Sequence, residues 1–359
     1  MKAEHSLRLE CARQLVLRHG RDATACQILN PGIDYWFSAS SDAVVGYVRR
    51  YNVRVAAGSP ICSSERFAEA ALEFERDAMA AGELVCYFGT EAPLHEHYRN
   101  CRVHSSVMLG AQPVWHPRHW ASALACHASL RAQLNRARNK GVTVGEWPVE
   151  RAKNHPALQR CLRQWLATRR LPTLHFLVEP ETLARLFDRR IFVAVRDGEV
   201  VGFVVASPVP QRHGYLIEQV VRGARAPNGT AEIMIDAAMS ALALDDFDYV
   251  TLGLAPLSRR CGVTDGGHPF WLRTLLNGVR SHGRRFYDFD GLDAFKAKFR
   301  PEHWEPVYAV CNEPSFSPKM LYAIAGAFTE GSPVAAVIRS CYAGAARLLR
   351  LARRDVDLA

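Results

Sequence analysis

The chain has 359 residues, more than one compact core holds, and suits two domains of ordinary size. Its 48% hydrophobic and 23% charged residues are the composition of a soluble globular protein, and no apolar run reaches the ~18–20 residues that span a bilayer. Lys and Arg number 45 against 36 Asp and Glu, a formal net charge of +9, which favours an anionic partner such as nucleic acid or an acidic lipid surface.

In chain order, residues 4–18 alternate charge with Leu and Ala, the pattern of a helix and not of a secretory signal. Apolar, β-rich pieces follow at 35–38, 43–48 and 53–57, the last ended by Gly58-Ser59-Pro60. A helix is expected over 64–81, then strands at 84–88 and 105–109. A strongly basic helix follows at 127–140, closed by Gly141. Further on, helices are expected at 156–170 and 180–188. The strands 191–196 and 200–208 form a hairpin through Asp197-Gly198. Strand 215–221, helix 229–244, strand 249–254, helix 268–281, and strands 286–289 and 307–311 complete the series. A hairpin and then alternating strands and helices suit a mixed α/β acyltransferase sheet. A parallel dinucleotide-binding sheet suits less well, because no GxGxxG is present. Ten scattered cysteines with no CxxC point to free thiols in a reducing cytoplasm and away from structural zinc.

From Pro333 onward, Val334, Val337, Ile338, Cys341, Tyr342, Ala345, Leu348, Leu349 and Ala352 share one helical face. Arg339, Arg347, Arg350, Arg353 and Arg354 lie on the other. Two readings stay open: a helix docked on the protein with its arginines in water, or an interfacial helix on an anionic membrane.

Three segments carry chemistry. In residues 222–230 a strand runs through Pro227-Asn228-Gly229 into a helix opened by Thr230. Such a helix start offers free N–H groups and a positive dipole end, with Arg222 and Arg225 adding fixed charge. A capped helix after a turn fits the same residues equally well. In residues 251–258 a strand ends at Gly253 and enters an Ala-Pro turn. In residues 287–308, Tyr287 and Asp290 precede Lys296 and Lys298. Two lysines two residues apart cannot share a face of a helix, so one is expected to face a ligand and the other solvent; two exposed lysines fit the same residues. The basic helix puts Arg131, Asn135 and Arg138 opposite Leu130, Leu134 and Ala137. With Lys140 these arginines form a face that can track phosphates without reading sequence; a merely solvated face fits the same residues equally well.

The three segments, in this order, resemble the C-terminal cytoplasmic domain of the phosphatidylglycerol lysyl- and alanyltransferases and their stand-alone soluble relatives. The resemblance rests on Arg222 with Ala226-Pro227-Asn228-Gly229, on residues 252–258 (LGLAPLS), and on residues 287–299 with Trp304-Glu305-Pro306. It extends more loosely to Gly58-Ser59-Pro60-Ile61 and to residues 130–141, covering about 15–312. Gln219 stands where those enzymes often have Asp, and Val307 where they often have Arg. The multi-span membrane portion that precedes the domain in those proteins has no counterpart here.

The resemblance implies tandem GNAT-like acyltransferase domains. One spans 1–141 with the basic helix, a catalytic one spans 142–314, and a helical tail spans 315–359. It implies aminoacyl-tRNA as co-substrate, no other cofactor and no metal. Under this reading Arg222, Arg225 and residues 227–230 hold the tRNA terminus, with Gln219, Gly253, Tyr287 and Asp290 lining the substrate site. Lys296 or Lys298 faces the oxyanion, Glu218 holds the amino group of the aminoacyl moiety, and Arg131, Arg138 and Lys140 bind tRNA. The expected acceptor is a phospholipid headgroup hydroxyl, reached by a cytoplasmic protein at the inner membrane face. A small-metabolite acceptor, an acyl-CoA-dependent N-acyltransferase and a silent tRNA- or lipid-binding protein are the other readings.

Overall fold

The computed structural model describes residues 2–169, 174–263, 269–275 and 288–329. The tail helix expected from residue 333, the later part of the 268–281 helix, and Tyr287 lie outside the described residues.

A 12-stranded mixed sheet runs through the described residues in the order β1-β2-β3-β4-β12-β5-β10-β9-β8-β7-β6, with the short β11 beside β5. The first strands are β1 (Asp34–Phe37), β2 (Val44–Arg50), β3 (Val53–Ala57), β4 (Leu84–Thr90) and β5 (Ser105–Trp115). After them come β6 (Thr143–Trp147), β7 (Arg190–Arg196), β8 (Glu199–Val209), β9 (Gly214–Arg222), β10 (Tyr249–Thr251), β11 (Ala255–Pro256) and β12 (His303–Cys311). The late strand β12 lies between β4 and β5, antiparallel to both. Among the described residues, only β3–β4 and β9–β10 pair in parallel.

Both faces of the sheet are covered, so its strands read as apolar runs. In β8, Phe203 and Val205 enter one core with Leu158 and Leu162 of α7 (Pro156–Ala167). The alternate residues Val204 and Ala206 enter another with Met234 and Ala238 of α8 (Thr230–Leu244). In β3, Val53 and Val55 face Ala12 and Val16 of α1 (Lys2–His19), while Ala56 faces Phe74 of α2 (Phe67–Ala80). The other described helices include α3 (Ala92–Tyr98), α4 (Trp120–Ala125), α5 (Ala128–Asn139), α6 (Val149–Ala152), α9 (Phe289–Ala297) and α10 (Pro318–Thr329). The expected mixed α/β acyltransferase architecture is the one observed.

Local signals explain the best-matched elements. The β7–β8 hairpin turns through Asp197 (φ 52°) and Gly198 (φ 77°), both left-handed, as a two-residue hairpin loop requires. Helix α5 buries Leu130, Leu134 and Ala137 at helical spacing; each buried leucine contributes roughly 1.5–3 kcal/mol.

Two expected elements differ. Residues 180–188 form turns and not a helix. The Gln219 amide takes up the carbonyls of Glu179 (2.9 Å) and Pro180 (3.2 Å), and Asp188 sits at φ 56°. Residues 288–289 start a helix instead of continuing a strand, because the Asp288 carboxylate accepts the Gly291 N–H at 2.9 Å and caps α9.

Candidate active site

The turn from β9 into α8 is built on Pro227, whose carbonyl accepts Thr230 N–H (3.2 Å) and Thr230 Oγ1–H (2.7 Å). Gly229 is the N-cap at φ 95°, and no side chain caps the first turn. Helix α5 crosses at this point. A Cβ on Gly229 would stand 2.3 Å from the Gln133 carbonyl oxygen, so glycine is required by conformation and by close approach. The crossing is fixed by Arg138, which pairs with Asp236 of α8 at 3.0 Å, while Trp120 Nε1 donates to the other Asp236 oxygen at 2.9 Å.

Between α5 and the start of α8 lies a cleft of about 420 Å³, lined by Ser129, Gln133 and Arg136 from one side and Arg222, Asn228 and Glu232 from the other. Arg136 and Arg222 are exposed, and among the described residues neither has a carboxylate partner. Two guanidinium groups therefore converge on an uncapped helix N-terminus, an arrangement suited to phosphate oxygens.

Glu232 completes the cleft. Its Oε1 accepts from Lys298 Nζ, which follows α9 and lies 4.2 Å from the Phe295 ring centroid. Its Oε2 is buried with no hydrogen-bond partner among the described residues. A carboxylate oxygen left unsatisfied beside a cleft is an acceptor ready for a ligand's donor.

Lys296 is not presented to this cleft. Its side chain is buried, and Nζ donates to the Gly253 and Leu254 carbonyls, each at 2.8 Å. Burial draws its pKa down to about 7. The lysine thus straps α9 to the end of β10, where Gly253 (φ 69°) turns the chain. A second cleft of about 320 Å³ lies beside this strap. Asp290, Ser258, Arg260 and Asp293 line it, with Arg260 Nε on Asp293 at 2.7 Å.

Glu218 and Gln219 lie where β9 bulges. Val205 pairs with Gln219 and Ala206 with Ile217, which leaves Glu218 as the extra residue. The Glu218 carboxylate accepts from Arg189 Nε (2.7 Å) and Gln27 Nε2 (2.6 Å), in a pair whose side chains are 0% and 8% exposed. The expectation that Glu218 receives a ligand's amino group meets this pair, because both its oxygens already have donors. Gln219 holds the 179–180 carbonyls, as described above. Arg225 is exposed and 3.5 Å from Glu199. Arg131 donates to the carbonyls of Leu124 and Ala125 at the end of α4. Lys140 is exposed just after α5.

Of the expected residues, the structure brings Arg222, Asn228, Gly229 and Lys298 to one place. Sequence reasoning missed Arg136 and passed over Glu232. The signal for the first was present: Ser129, Ala132, Gln133 and Arg136 recur at i, i+3, i+4 and i+7, a small and polar stripe on α5. Among the described residues no group of three or more His, Cys, Asp or Glu is arranged to hold a metal ion, and no helix is long and apolar enough to cross a membrane.

Comparison with known proteins gives the family and the fold. The family model for the C-terminal part of phosphatidylglycerol lysyltransferase matches residues 13–311. The crystal structure of the C-terminal domain of a putative lysylphosphatidylglycerol synthetase from Agrobacterium fabrum shares the fold at a TM-score of 0.75 and 22% identity, covering 91% of this chain and 98% of that one. The structure of L-PGS from Bacillus licheniformis gives 0.70 and 19% over 93% and 96%. FemX gives 0.55 and 9% over 87% and 96%. An uncharacterized protein of Corynebacterium glutamicum is 24% identical over 287 residues, and the match spans 76% of this chain but only 35% of that relative. The chain belongs to the family defined by the C-terminal domain of phosphatidylglycerol lysyltransferase.

Proposed function

We propose that the chain is an aminoacyltransferase that moves an amino acid from aminoacyl-tRNA to a hydroxyl of an anionic, phosphatidylglycerol-like headgroup. The observation that carries this reading is the cleft itself, where Arg136 and Arg222 meet the start of α8 beside the Lys298–Glu232 pair. Family membership supports the same reaction class.

The donor ester is already activated, so the chemistry is a transesterification. The acceptor hydroxyl oxygen bonds to the ester carbonyl carbon, the bond to the terminal ribose oxygen breaks, and the hydroxyl proton ends on that ribose oxygen. Arg136, Arg222 and the α8 N-terminus hold phosphate oxygens of the tRNA terminus. Lys298 stabilises the charge that develops on the carbonyl oxygen. The role expected of Glu218 passes to Glu232, whose free oxygen receives the ammonium of the aminoacyl moiety. Lys296 acts as a positioning residue through the strap that sets α9.

The test incubates the full chain with a mixture of aminoacyl-tRNAs labelled in the amino acid and with vesicles containing phosphatidylglycerol. Label is expected in the lipid phase, reduced about 10²–10³-fold by Lys298→Ala and weakened at low tRNA by Arg136→Ala. Label in an aqueous small molecule would keep the donor and overturn the acceptor. Label that stays on tRNA, with acetyl-CoA consumed in a parallel incubation that supplies it, would overturn the reaction class.

A further inference from the structure

Cys101 lies in neither cleft. It sits in the turn that joins α3 to β5, where Cys101 N–H donates to the Tyr98 carbonyl (2.9 Å) and His104 N–H to the Cys101 carbonyl (3.3 Å). The turn folds back on Glu75 of α2, a buried carboxylate. His104 Nε2 is 2.9 Å from Glu75 Oε2, and His104 Nδ1 is 3.2 Å from Cys101 Sγ. Tyr98 donates its hydroxyl to Glu75 Oε1 at 2.8 Å and stacks on the imidazole at 3.8 Å and 11°. Thiol, imidazole and carboxylate thus form one line with the ring orientation fixed from two sides.

The chemistry of that line is directional. A carboxylate on Nε2 calls for a proton there, which leaves Nδ1 as the acceptor facing the thiol. Transfer of the thiol proton gives an imidazolium held by Glu75 and a thiolate held by His104. The sulfur also receives the Val103 N–H, which with His104 draws the thiol's pKa below its ordinary value. Burial is the largest influence and pulls the imidazole's pKa down, but Glu75 and Cys101 together outweigh it and the net shift is upward. Both directions favour the ion pair. Cys101 is half-exposed, and the exposed Arg99 and Arg102 flank it. Among the described residues Cys11 and Cys126 are the exposed thiols, and neither has a comparable partner there.

We propose that Cys101 is a modification site that exchanges with anionic low-molecular-weight disulfides. The thiolate attacks one sulfur of the reagent, whose S–S bond breaks as the mixed disulfide forms. The other half leaves as a thiolate and takes the proton from His104, so Cys101 is oxidised and the released half reduced. The two arginines select a reagent that carries carboxylates.

Oxidised glutathione is the probe. The full chain, reduced and freed of reductant, is exposed to it between pH 5.5 and 8.5, and each cysteine's occupancy is followed by peptide mass spectrometry. At pH 6.5 Cys101 is expected to react at least about 10-fold faster than Cys11 or Cys126, reversibly with dithiothreitol. Glu75→Gln and His104→Gln are expected to move the pH profile of Cys101 alone to higher pH. Should His104→Gln fold poorly by circular dichroism, the wild-type profile and Glu75→Gln decide. A Cys101 rate that tracks the two exposed thiols at every pH, or a profile unmoved by Glu75→Gln, overturns the proposal.

Discussion

Lys296 and Lys298 are two residues apart yet do opposite things. One donates to two backbone carbonyls in the interior, and the other reaches Glu232 at the cleft. The spacing predicts this divergence, but not which lysine reaches the cleft. That depends on Gly253 and Glu232, more than forty residues away in each case. The buried ammonium has a measurable consequence. Its folded pKa of about 7 lies below the ordinary 10.5, so above pH 7 the unfolded chain holds a proton that the folded chain has lost. Stability is therefore expected to rise from pH 7 to 8.5, by up to about 1.4 kcal/mol per pH unit. Lys296→Met should abolish that rise, read as urea midpoints under reducing conditions; parallel curves for the two proteins would sink the assignment. Arg136 was hidden for the same reason as the lysine assignment. Helix α5 carries three arginines, and only their partners show that Arg138 is taken by Asp236 and Arg131 by the end of α4, which leaves Arg136 at the cleft.

At the scale of elements, the legible ones carry their own signals: a left-handed Asp-Gly turn, an i, i+4, i+7 apolar stripe, a glycine at a helix start. Residues 180–188 carry helix-compatible residues but are shaped by the Gln219 side chain from β9, which no local pattern contains. The α5–α8 crossing lies between these cases. Gly229 announces a turn, while the need for glycine comes equally from α5 passing over it. Gly229→Ala therefore carries two costs, a left-handed alanine and a clash with the Gln133 carbonyl. Gly141, at φ 77°, has nothing within 4 Å of an added Cβ and carries only the first. Thermal unfolding should show Gly229→Ala losing about 1–3 kcal/mol more than Gly141→Ala. Under the proposed function its affinity for tRNA should fall as well, because Arg136 moves with α5. Equal losses in the two variants would mean that the helices separate freely.

Across the whole molecule, one sheet joins the segments expected as separate domains, and a buried polar cluster sits where β4, β5, β10 and β12 come together. Arg212 makes paired contacts of 2.6 Å with both Glu305 oxygens, approaches Glu91 at 3.3 Å and lies over the Tyr249 ring at 3.7 Å. Gln112 donates to Glu91 (2.9 Å) and Glu305 (3.2 Å), so four strands and the loop after β8 depend on the same few groups. Glu305 and Arg212 satisfy one another, which leaves Glu91 and the buried Asp22 in excess of positive charge. Burial, and next the Asp22 carboxylate, push the Glu91 carboxyl up to about 7; burial likewise raises Asp22. Between about 4.5 and 7 the folded chain thus keeps a proton that an unfolded glutamate has released. Stability is then full below that window and falls as pH rises through it, by at most about 1.4 kcal/mol per pH unit for this group. Glu91→Gln keeps the shape and an acceptor for the Ala23 N–H, which donates to Glu91 at 2.8 Å in the parent. The variant should flatten the decline between pH 5 and 7, measured as the unfolding midpoint in urea. Since Lys296 acts with the opposite sign above pH 7, the parent chain should be least stable near neutrality, and removing either group should erase one side of that minimum.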